Sequence, residues 1–379
     1  MSLQLARITL REIRMVLREP FEISSGRTTD RRILLLELQD AGGATAWSEC
    51  VAGERPNYSA ETIDTAWLAI TEWIAPRLLG MRLDGPHLID DMLRRGIRDH
   101  SMAKAAVEMG AWALAAEREG VSLSRLLGGT RAAIGTGISI GIQANPQALA
   151  DKADAALAHG YRKIKMKIRP GADIDYIAAV REALGPQAPL MADANSAYTP
   201  AHADHLAELD AYRLLMIEQP LAQDDLRRHA QLQDRLDTPI CLDESIPHAA
   251  AAEDMLALGA GRIVNVKPGR VGGFTQAKAI HDLCRNHAVP VWCGGMLESG
   301  VGRAHNVALA SLPNFTIPGD VSPSARYWTE DIVTPEWTMD ANGMVAVPTD
   351  RPGLGVEVKV DRVNDLTVRT KTLKWRGNG

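Results

Sequence analysis

Four charged residues follow apolar segments of this 379-residue chain at nearly equal intervals. Asp193 ends the segment PLMAD, Glu218 ends RLLMIE, and Asp243 ends PICLD, with 25 residues from each acid to the next. Lys267 ends RIVNVK, 24 residues further on. This interval fits one strand and one helix, so we expect each side chain at the carboxyl end of a successive parallel strand, where barrel enzymes build their sites.

Three carboxylates on adjacent strands repel one another, and they stay ionised at one point only if a cation neutralises them. An all-oxygen ligand set with room for water and substrate suits Mg²⁺, with Mn²⁺ as an alternative ion, better than Zn²⁺. A single acid at a strand end could simply cap the next helix, as Asp243 could. Three acids at one-unit spacing favour a metal, so Asp193, Glu218 and Asp243 are the predicted ligands.

Lysines alternate with apolar residues in the segment YRKIKMKI at 161–168. A period of two places Lys163, Lys165 and Lys167 on one face of a strand. Such a stripe is costly in a buried barrel strand unless it faces a polar interior, and a closed barrel has no exposed edge strand to carry it. Lys165 and Lys167 lie nearest the predicted metal. Lys163 lies deeper or at the edge, and we assign it no catalytic role.

Proton abstraction from the carbon next to a carboxylate would use these groups together. The product is an enediolate with two negative charges, which a metal on the carboxylate oxygens stabilises. A lysine is a base only when neutral, and a neighbouring ammonium with partial burial can bring its pKa from about 10.4 to about 7–8. We therefore expect Lys167 to be a base tuned by Lys165. Lys267 would approach from the opposite side, as inversion at a carbon centre requires.

The elements that must position these residues fall into two groups. Strand patterns near 5–15, 31–39 and 44–50 precede helical patterns near 59–79, 86–95 and 102–119, which predicts an α+β domain. Strands then alternate with helices such as 145–158, 247–257 and 273–286. We place these strands near 134–140, 162–168, 189–193, 213–218, 239–242, 262–267, 289–293 and 314–317. About eight such units favour a closed barrel.

These patterns predict a capping domain over 1–130, a barrel over 131–339, and a tail from about 340 to 379 that packs back on the first domain. The formal net charge of −5 gives no reason to expect nucleic acid. The four cysteines form no CxxC pair, and no 18-residue apolar run suggests a membrane span. A soluble, cytoplasmic protein is expected.

Longer segments carry a resemblance to a known family. They are GYRKIKMKIRPG, DANSAYT, IEQPL, TPICLDES, NVKPGRVGG and PVWCGGMLESGVGRAHNVALASLPNFTIPGD. Together with the lysines and acids above, they resemble the enolase superfamily in its muconate-lactonizing subgroup, and most closely the o-succinylbenzoate synthase / N-acylamino acid (N-succinylamino acid) racemase family. This resemblance implies an α/β fold, a modified TIM barrel (β/α)₇β with an N-terminal α+β capping domain. It also implies bound Mg²⁺, a small-molecule carboxylate substrate and a homo-oligomer.

The resemblance further implies two reactions that begin with the same enediolate. One is the syn dehydration that yields o-succinylbenzoate in menaquinone synthesis, with Lys167 as the base and Lys267 charged beside the intermediate. The other is racemisation of N-acylated amino acids, in which the two lysines exchange roles. Ser139, Asn195 and Glu244 are expected to support the site or face the substrate.

A predicted loop at 21–32, with the segment at 50–59, should cover the site from the capping domain and set specificity. The segment GGMLESG lacks the Asp-x-Asp of the related dipeptide epimerases. Only Glu298 remains there, supporting the site or capping a helix.

Other functions stay open. A muconate cycloisomerase or dipeptide epimerase would use the same lysines and acids. A non-catalytic ligand-binding barrel should have lost one of them, and none is missing. A dinucleotide enzyme is disfavoured, because no GxGxxG or GxxxxGK segment is present.

Overall fold

The computed structural model describes residues 2–24 and 26–377. Its first domain is built on an antiparallel sheet in the order β16-β1-β2-β3, and a further strand, β4, also pairs with β1. The strands are β1 (Leu3–Ile23), β2 (Gly26–Asp40), β3 (Thr45–Cys50), β4 (Arg82–Leu83) and, from the C-terminal tail, β16 (Thr367–Lys374). β1 and β2 run well past the predicted strands, so the segment predicted as a loop at 21–32 is the end of a long hairpin. Ser25, within it, lies outside the described residues.

Helices cover one face of this sheet. They are α1 (Ile63–Leu68), α2 (Ala75–Leu78), α3 (Leu88–Gly96), α4 (Ser101–Glu119) and α5 (Leu123–Leu127). The helix predicted over 59–79 begins at a Thr62 capping box and contains a π-helical stretch, Ala69–Ile74, ahead of Pro76. The Ala-rich α4 packs closely against β2 and β3, because its small side chains permit a close approach.

The second domain is built on seven parallel strands in the order β12-β11-β10-β9-β8-β7-β6. They are β6 (Ile138–Ile140), β7 (Ile164–Lys167), β8 (Leu190–Asp193), β9 (Ile217–Glu218), β10 (Ile240–Leu242), β11 (Ile263–Val266) and β12 (Val291–Cys293). Their residues are buried, as expected for strands covered on both faces. The helices between and after them are α6 (Pro146–Ala158), α7 (Ile174–Leu184), α8 (Ala203–Ala207), α9 (Leu226–Gln233), α10 (Ala249–Leu258), α11 (Pro268–Val271), α12 (Phe274–Asn286) and α13 (Gly300–Ala310).

The predicted class, a modified barrel with a capping domain, is confirmed, but the eighth strand is wrong. Residues 314–317 are not assigned to a strand, and only single bridges join Phe315 to Val291 and Gly319 to Thr136. Pro313 and Pro318 flank the segment, and proline has no N–H to give to a ladder. The single strand predicted over 134–140 is divided into two strands, β5 (Ala133–Gly135) and β6. β5 lies outside the barrel sheet and pairs with β14 (Met344–Ala346).

The remaining short elements lie in the C-terminal part of the chain. They are β13 (Val333–Thr334), β15 (Glu357–Val358) and α14 (Val360–Leu366). After them β16 pairs with β1 from Arg7 to Ile13, so this part of the tail completes the capping-domain sheet. Over the described residues, no helix combines the length and apolar character that crossing a membrane requires.

Two buried glutamates of the capping domain hold the barrel helices. Glu108 on α4 accepts hydrogen bonds from the backbone N–H groups of Phe274 and Thr275, where α12 begins. Glu49 on β3 accepts from the N–H groups of Ser299 and Gly302, where α13 begins. A helix N-terminus offers unpaired N–H groups and a positive dipole end, so each carboxylate supplies what the helix lacks. The two domains are therefore joined by polar contacts as well as by apolar packing.

Candidate active site

The predicted acids lie side by side at the carboxyl ends of the barrel strands. Asp193 ends β8 and pairs in register with Lys167 of β7 on one side and Glu218 of β9 on the other. Asp243 directly follows β10, and Lys267 directly follows β11. All of these side chains are buried. The even interval in the sequence therefore corresponds to neighbouring strand ends.

Each acid is in contact with a cation of the chain. Lys167 Nζ donates to Asp193 Oδ2 over 2.6 Å, and Lys267 Nζ donates to Asp243 Oδ2 over 2.7 Å. Lys165 Nζ lies 3.2 Å from Asp193 Oδ2 and 3.3 Å from Glu218 Oε2. Asp243 does not cap the next helix, since the N-cap of α10 is His248.

The predicted convergence of the three carboxylates on one metal ion stays a prediction. Within 2–24 and 26–377, no three acid, histidine or cysteine side chains form a group that could hold a metal ion as they stand. Asp193 and Glu218 lie side by side on paired strand ends, whereas Asp243 faces Lys267 and pairs with Arg270. The ammonium and guanidinium groups supply here the positive charge that three adjacent carboxylates need.

The donor set nevertheless fits a hard divalent cation. The acids supply only carboxylate oxygens, which Mg²⁺ prefers. Burial, and then the charge of Asp193, raise the pKa of Glu218, and burial also raises the pKa of Glu244. Glu244 Oε2 is buried and has no hydrogen-bond partner among the described residues. A cation among these groups would relieve both the crowding and the unpaired oxygen.

The three lysines differ in their electrostatics. Burial lowers the pKa of Lys167; Asp193 opposes this effect, and the positive charge of Lys165 adds to it. For Lys165 burial acts in the same direction, but Asp320, Glu218 and Asp193 outweigh it and raise its pKa well above the ordinary value. The pKa of Lys267 is also raised, against the effect of burial, by Tyr58 and Glu218. The Lys165 ammonium therefore favours a neutral Lys167, as expected from the sequence.

A cavity of about 380 Å³ lies between the two domains. Lys167, Lys267 and Asn195 line it from the barrel. The capping domain lines it with residues within 21–32 and 51–61, and the loop at 295–297 completes the wall. Both segments predicted to cover the site therefore reach the cavity that holds two of the predicted lysines.

The four predicted supporting residues lie in different surroundings. Asn195 accepts a hydrogen bond from Lys167 over 2.6 Å and donates to Glu244 Oε1 over 3.0 Å. Ser139 pairs with Lys165 across β6 and β7, and its hydroxyl is buried without a hydrogen-bond partner in the described part of the chain. Glu298 accepts from Asn306 over 2.8 Å. It does not cap α13, since that cap is Ser299.

Four further residues contact the predicted groups, and sequence reasoning missed them. Tyr58 accepts a hydrogen bond from Lys267 over 3.0 Å, and Asn265 donates to Glu218 Oε1 over 2.6 Å. Arg270 pairs with Asp243, and Asp320 lies 2.6 Å from Lys165 Nζ. Two of these left a signal in the sequence. Asn265 interrupts an apolar strand two residues before Lys267, and Asp320 follows the eighth apolar run as the other acids follow theirs.

Comparisons with known proteins agree with this arrangement. Residues 6–128 match the family model "Mandelate racemase / muconate lactonizing enzyme, N-terminal domain", and residues 148–363 match "Enolase C-terminal domain-like". The chain is 48% identical to an o-succinylbenzoate synthase of Geobacillus kaustophilus over 97% of both chains. It is 43% identical to an N-succinylamino acid racemase of Amycolatopsis over 96% of this chain and 98% of the relative.

A solved structure from Listeria innocua, described as a member of the enolase superfamily, superimposes with a TM-score of 0.94. It is 38% identical in sequence, and the match covers 98% of this chain and 99% of that one. The resemblance noted in the sequence is thus confirmed over nearly the whole length. The chain is an enzyme of the enolase superfamily and carries both domains of its mandelate racemase / muconate lactonizing enzyme group.

Proposed function

We propose that this enzyme abstracts the proton α to a substrate carboxylate with Mg²⁺ held by Asp193, Glu218 and Asp243. The observation that carries the proposal is that Lys167 and Lys267 line one cavity, each hydrogen-bonded to its own strand-end aspartate. When bound, Mg²⁺ would supply positive charge for the carboxylate on which the enediolate's negative charge develops.

The lysines do the proton chemistry. Neutral Lys167 takes the α-proton, and the electron pair of the C–H bond passes into the substrate carboxylate to form the enediolate. In racemisation, the ammonium of Lys267 then protonates the opposite face of the same carbon, which inverts it. For the other enantiomer the two amines exchange roles. This use of two bases requires a substrate held between them, as the cavity allows.

In the dehydration, Lys167 takes the same kind of proton, and the β-hydroxyl leaves from the same face of the ring. The C–O bond breaks, and the departing oxygen takes the proton from the Lys167 ammonium to leave as water. Lys267 keeps its proton and faces the intermediate as a cation. We propose o-succinylbenzoate synthesis, N-succinylamino acid racemisation or both. This is supported by relatives of both names at 48% and 43% identity.

Two assays on the purified protein with Mg²⁺ test the proposal. Proton NMR in D₂O follows loss of the α-proton signal from N-succinyl-L- and N-succinyl-D-amino acids. Ultraviolet absorbance follows formation of o-succinylbenzoate from 2-succinyl-6-hydroxy-2,4-cyclohexadiene-1-carboxylate. Turnover in either assay supports the proposal. Turnover in neither, with exchange instead at the α-carbon of a dipeptide or conversion of a muconate, would assign the site to another member of the superfamily.

A further inference from the structure

A buried carboxylate outside the proposed metal-ligand set holds Lys165. Asp320 Oδ2 lies 2.6 Å from Lys165 Nζ, which is closer than either Asp193 or Glu218. The other oxygen, Oδ1, lies 3.3 Å from Lys163 Nζ. Asp320 is 5% exposed and the two lysines 0–3%, so each charge depends on its partner in a medium of low polarity.

The backbone fixes Asp320 where the predicted eighth strand would close the barrel. Gly319 bridges to Thr136 next to β6, and the Asp320 N–H donates to the carbonyl of Cys293 at the end of β12 over 2.8 Å. Both ends of the seven-stranded sheet therefore hold this position. A side chain anchored in this way can define where a long, flexible lysine places its amine.

An indole ring forms the floor beneath both amines. The centroid of the Trp292 ring lies 3.4 Å from Lys163 Nζ and 4.9 Å from Lys165 Nζ. Trp292 Nε1 donates to Cys241 Sγ over 3.3 Å, which fixes the ring. The aromatic face attracts the cations, and Lys163 on the far side keeps Asp320 turned toward Lys165. This gives Lys163 a structural reason for its buried position.

We propose that Asp320 is a positioning residue that acts through Lys165. The inference rests on the proposed function, in which Asp193 and Glu218 also serve the metal ion. Asp320 then remains as the carboxylate of the described chain that contacts Lys165 and is not a proposed metal ligand. It keeps the Lys165 amine beside Lys167. Without Asp320, the Lys165 amine would have only Asp193 and Glu218 as acidic partners in the described chain, and it would compete with the metal ion for them.

The test compares Asp320→Asn with the wild type in whichever assay the wild type shows turnover. We expect kcat to fall about 10- to 100-fold with KM within about threefold, since the lost interaction acts in the transition state. Asp331→Asn is the matched control. Asp331 is another fully buried acid in the same segment, and it accepts from Gly300 N–H and Ser324 Oγ instead of a lysine. An equal fall in kcat in both variants would overturn the proposal.

A second measurement does not depend on activity. Urea unfolding of Asp320→Asn, Lys165→Met and the double variant forms a double-mutant cycle. If Asp320 holds Lys165, the double variant should lose less stability than the sum of the two single losses, although each residue also has contacts of its own. Strictly additive losses would overturn the contact. A wild type without turnover would count against the proposed function. The double-mutant cycle would still test the contact between Asp320 and Lys165. If Asp320→Asn does not fold, Lys163→Met replaces it, and an unchanged kcat in that variant contradicts the proposal.

Discussion

Tyr58 of the capping domain donates a hydrogen bond to Asp243 Oδ1 in the barrel over 3.0 Å. The same phenol oxygen accepts a hydrogen bond from Lys267 Nζ over 3.0 Å, and Lys267 reaches the other oxygen of Asp243 over 2.7 Å. The three groups form a closed triangle with one corner from each of three chain segments. The capping domain therefore contributes hydrogen bonds to Lys267 and Asp243 in addition to the cavity wall.

Replacing Tyr58 by phenylalanine should slow the step that uses Lys267. A hydrogen bond to a charged group contributes about 1.5–3 kcal/mol, so we expect a loss of about 10- to 100-fold in exchange of one enantiomer. Exchange of the other enantiomer should fall less. Tyr198→Phe is the control, because Tyr198 donates to Asp173 over 2.8 Å away from these lysines. Equal losses for both enantiomers, or in both variants, would contradict the assigned contact.

Removing either cavity lysine should abolish turnover and leave the fold intact. General acid–base catalysis typically contributes about 10²- to 10⁴-fold, so Lys167→Ala and Lys267→Ala should each lose at least this much. Circular dichroism should show the folded spectrum of the wild type with a lower thermal midpoint, because each substitution removes the cation that pairs with a buried aspartate. Lys152→Ala is a matched surface control, since this half-exposed lysine pairs only with Glu19 in the described chain. Substantial residual turnover in either cavity variant would refute the assigned role.

Removing divalent metal should stop the reaction reversibly. Dialysis against a chelator should abolish turnover, and Mg²⁺ should restore it. Bound Mg²⁺ should also stabilise the fold, by about 2.7 kcal/mol at 100 times its Kd. Calorimetry with and without Mg²⁺ measures this effect, which Asp193→Asn should reduce. A chelated enzyme with full activity, or a thermal midpoint indifferent to Mg²⁺ in the wild type, would argue against the proposed metal site.

The burial of Glu49 should make stability depend on pH. Burial raises the pKa of Glu49 from its ordinary value of 4.5 to about 8, with Ser299 opposing the shift and Glu298 adding to it. The folded protein therefore keeps a proton that the unfolded chain has released. Its stabilising contribution is complete below about pH 4.5 and is lost as the pH rises toward 8, by at most about 1.4 kcal/mol per pH unit.

Urea unfolding between pH 5 and 8 measures this dependence. Glu49→Gln should reduce the slope, because glutamine has no proton to lose. Glu108, whose pKa burial raises to about 7, should keep part of the slope. Glu357→Gln removes an exposed carboxylate of β15 and serves as the control. A wild-type slope that survives the Glu49 substitution would assign the pH dependence to other groups.

The sequence predicted the barrel well because its strands are buried on both faces. Such strands appear as short apolar runs, and seven of the eight predicted runs contain strands of the sheet. The eighth run, NFTI, is only half apolar, and Phe315 and Gly319 form only single bridges next to Pro313 and Pro318. An apolar run indicates that a segment is buried. It does not indicate which backbone N–H groups can hydrogen-bond to a neighbouring strand.

The candidate site was predictable where a residue ends a strand. Asp193, Glu218 and Lys267 end or directly follow successive strands, so their spacing brought them together, and the alternation in 161–168 added Lys167. Tyr58 was not predictable in this way, because it comes from another domain and meets Asp243 across 185 residues. The cation contacts of each acid also escaped the sequence, since spacing gives strand ends and not the direction of long side chains.

Glu108 and Glu49 accept hydrogen bonds at the starts of the barrel helices α12 and α13. They therefore set a condition on any exchange of the capping domain between relatives. The donor domain would bring new wall residues near 21–32 and 50–59, while the recipient barrel would keep its own amines and acids. Such a chimera would also need acids equivalent to Glu49 and Glu108, because otherwise α12 and α13 would start with unpaired N–H groups inside the protein. Most of the cavity wall and most of the amines and acids thus lie on different domains, and Glu49 and Glu108 decide whether a new combination assembles.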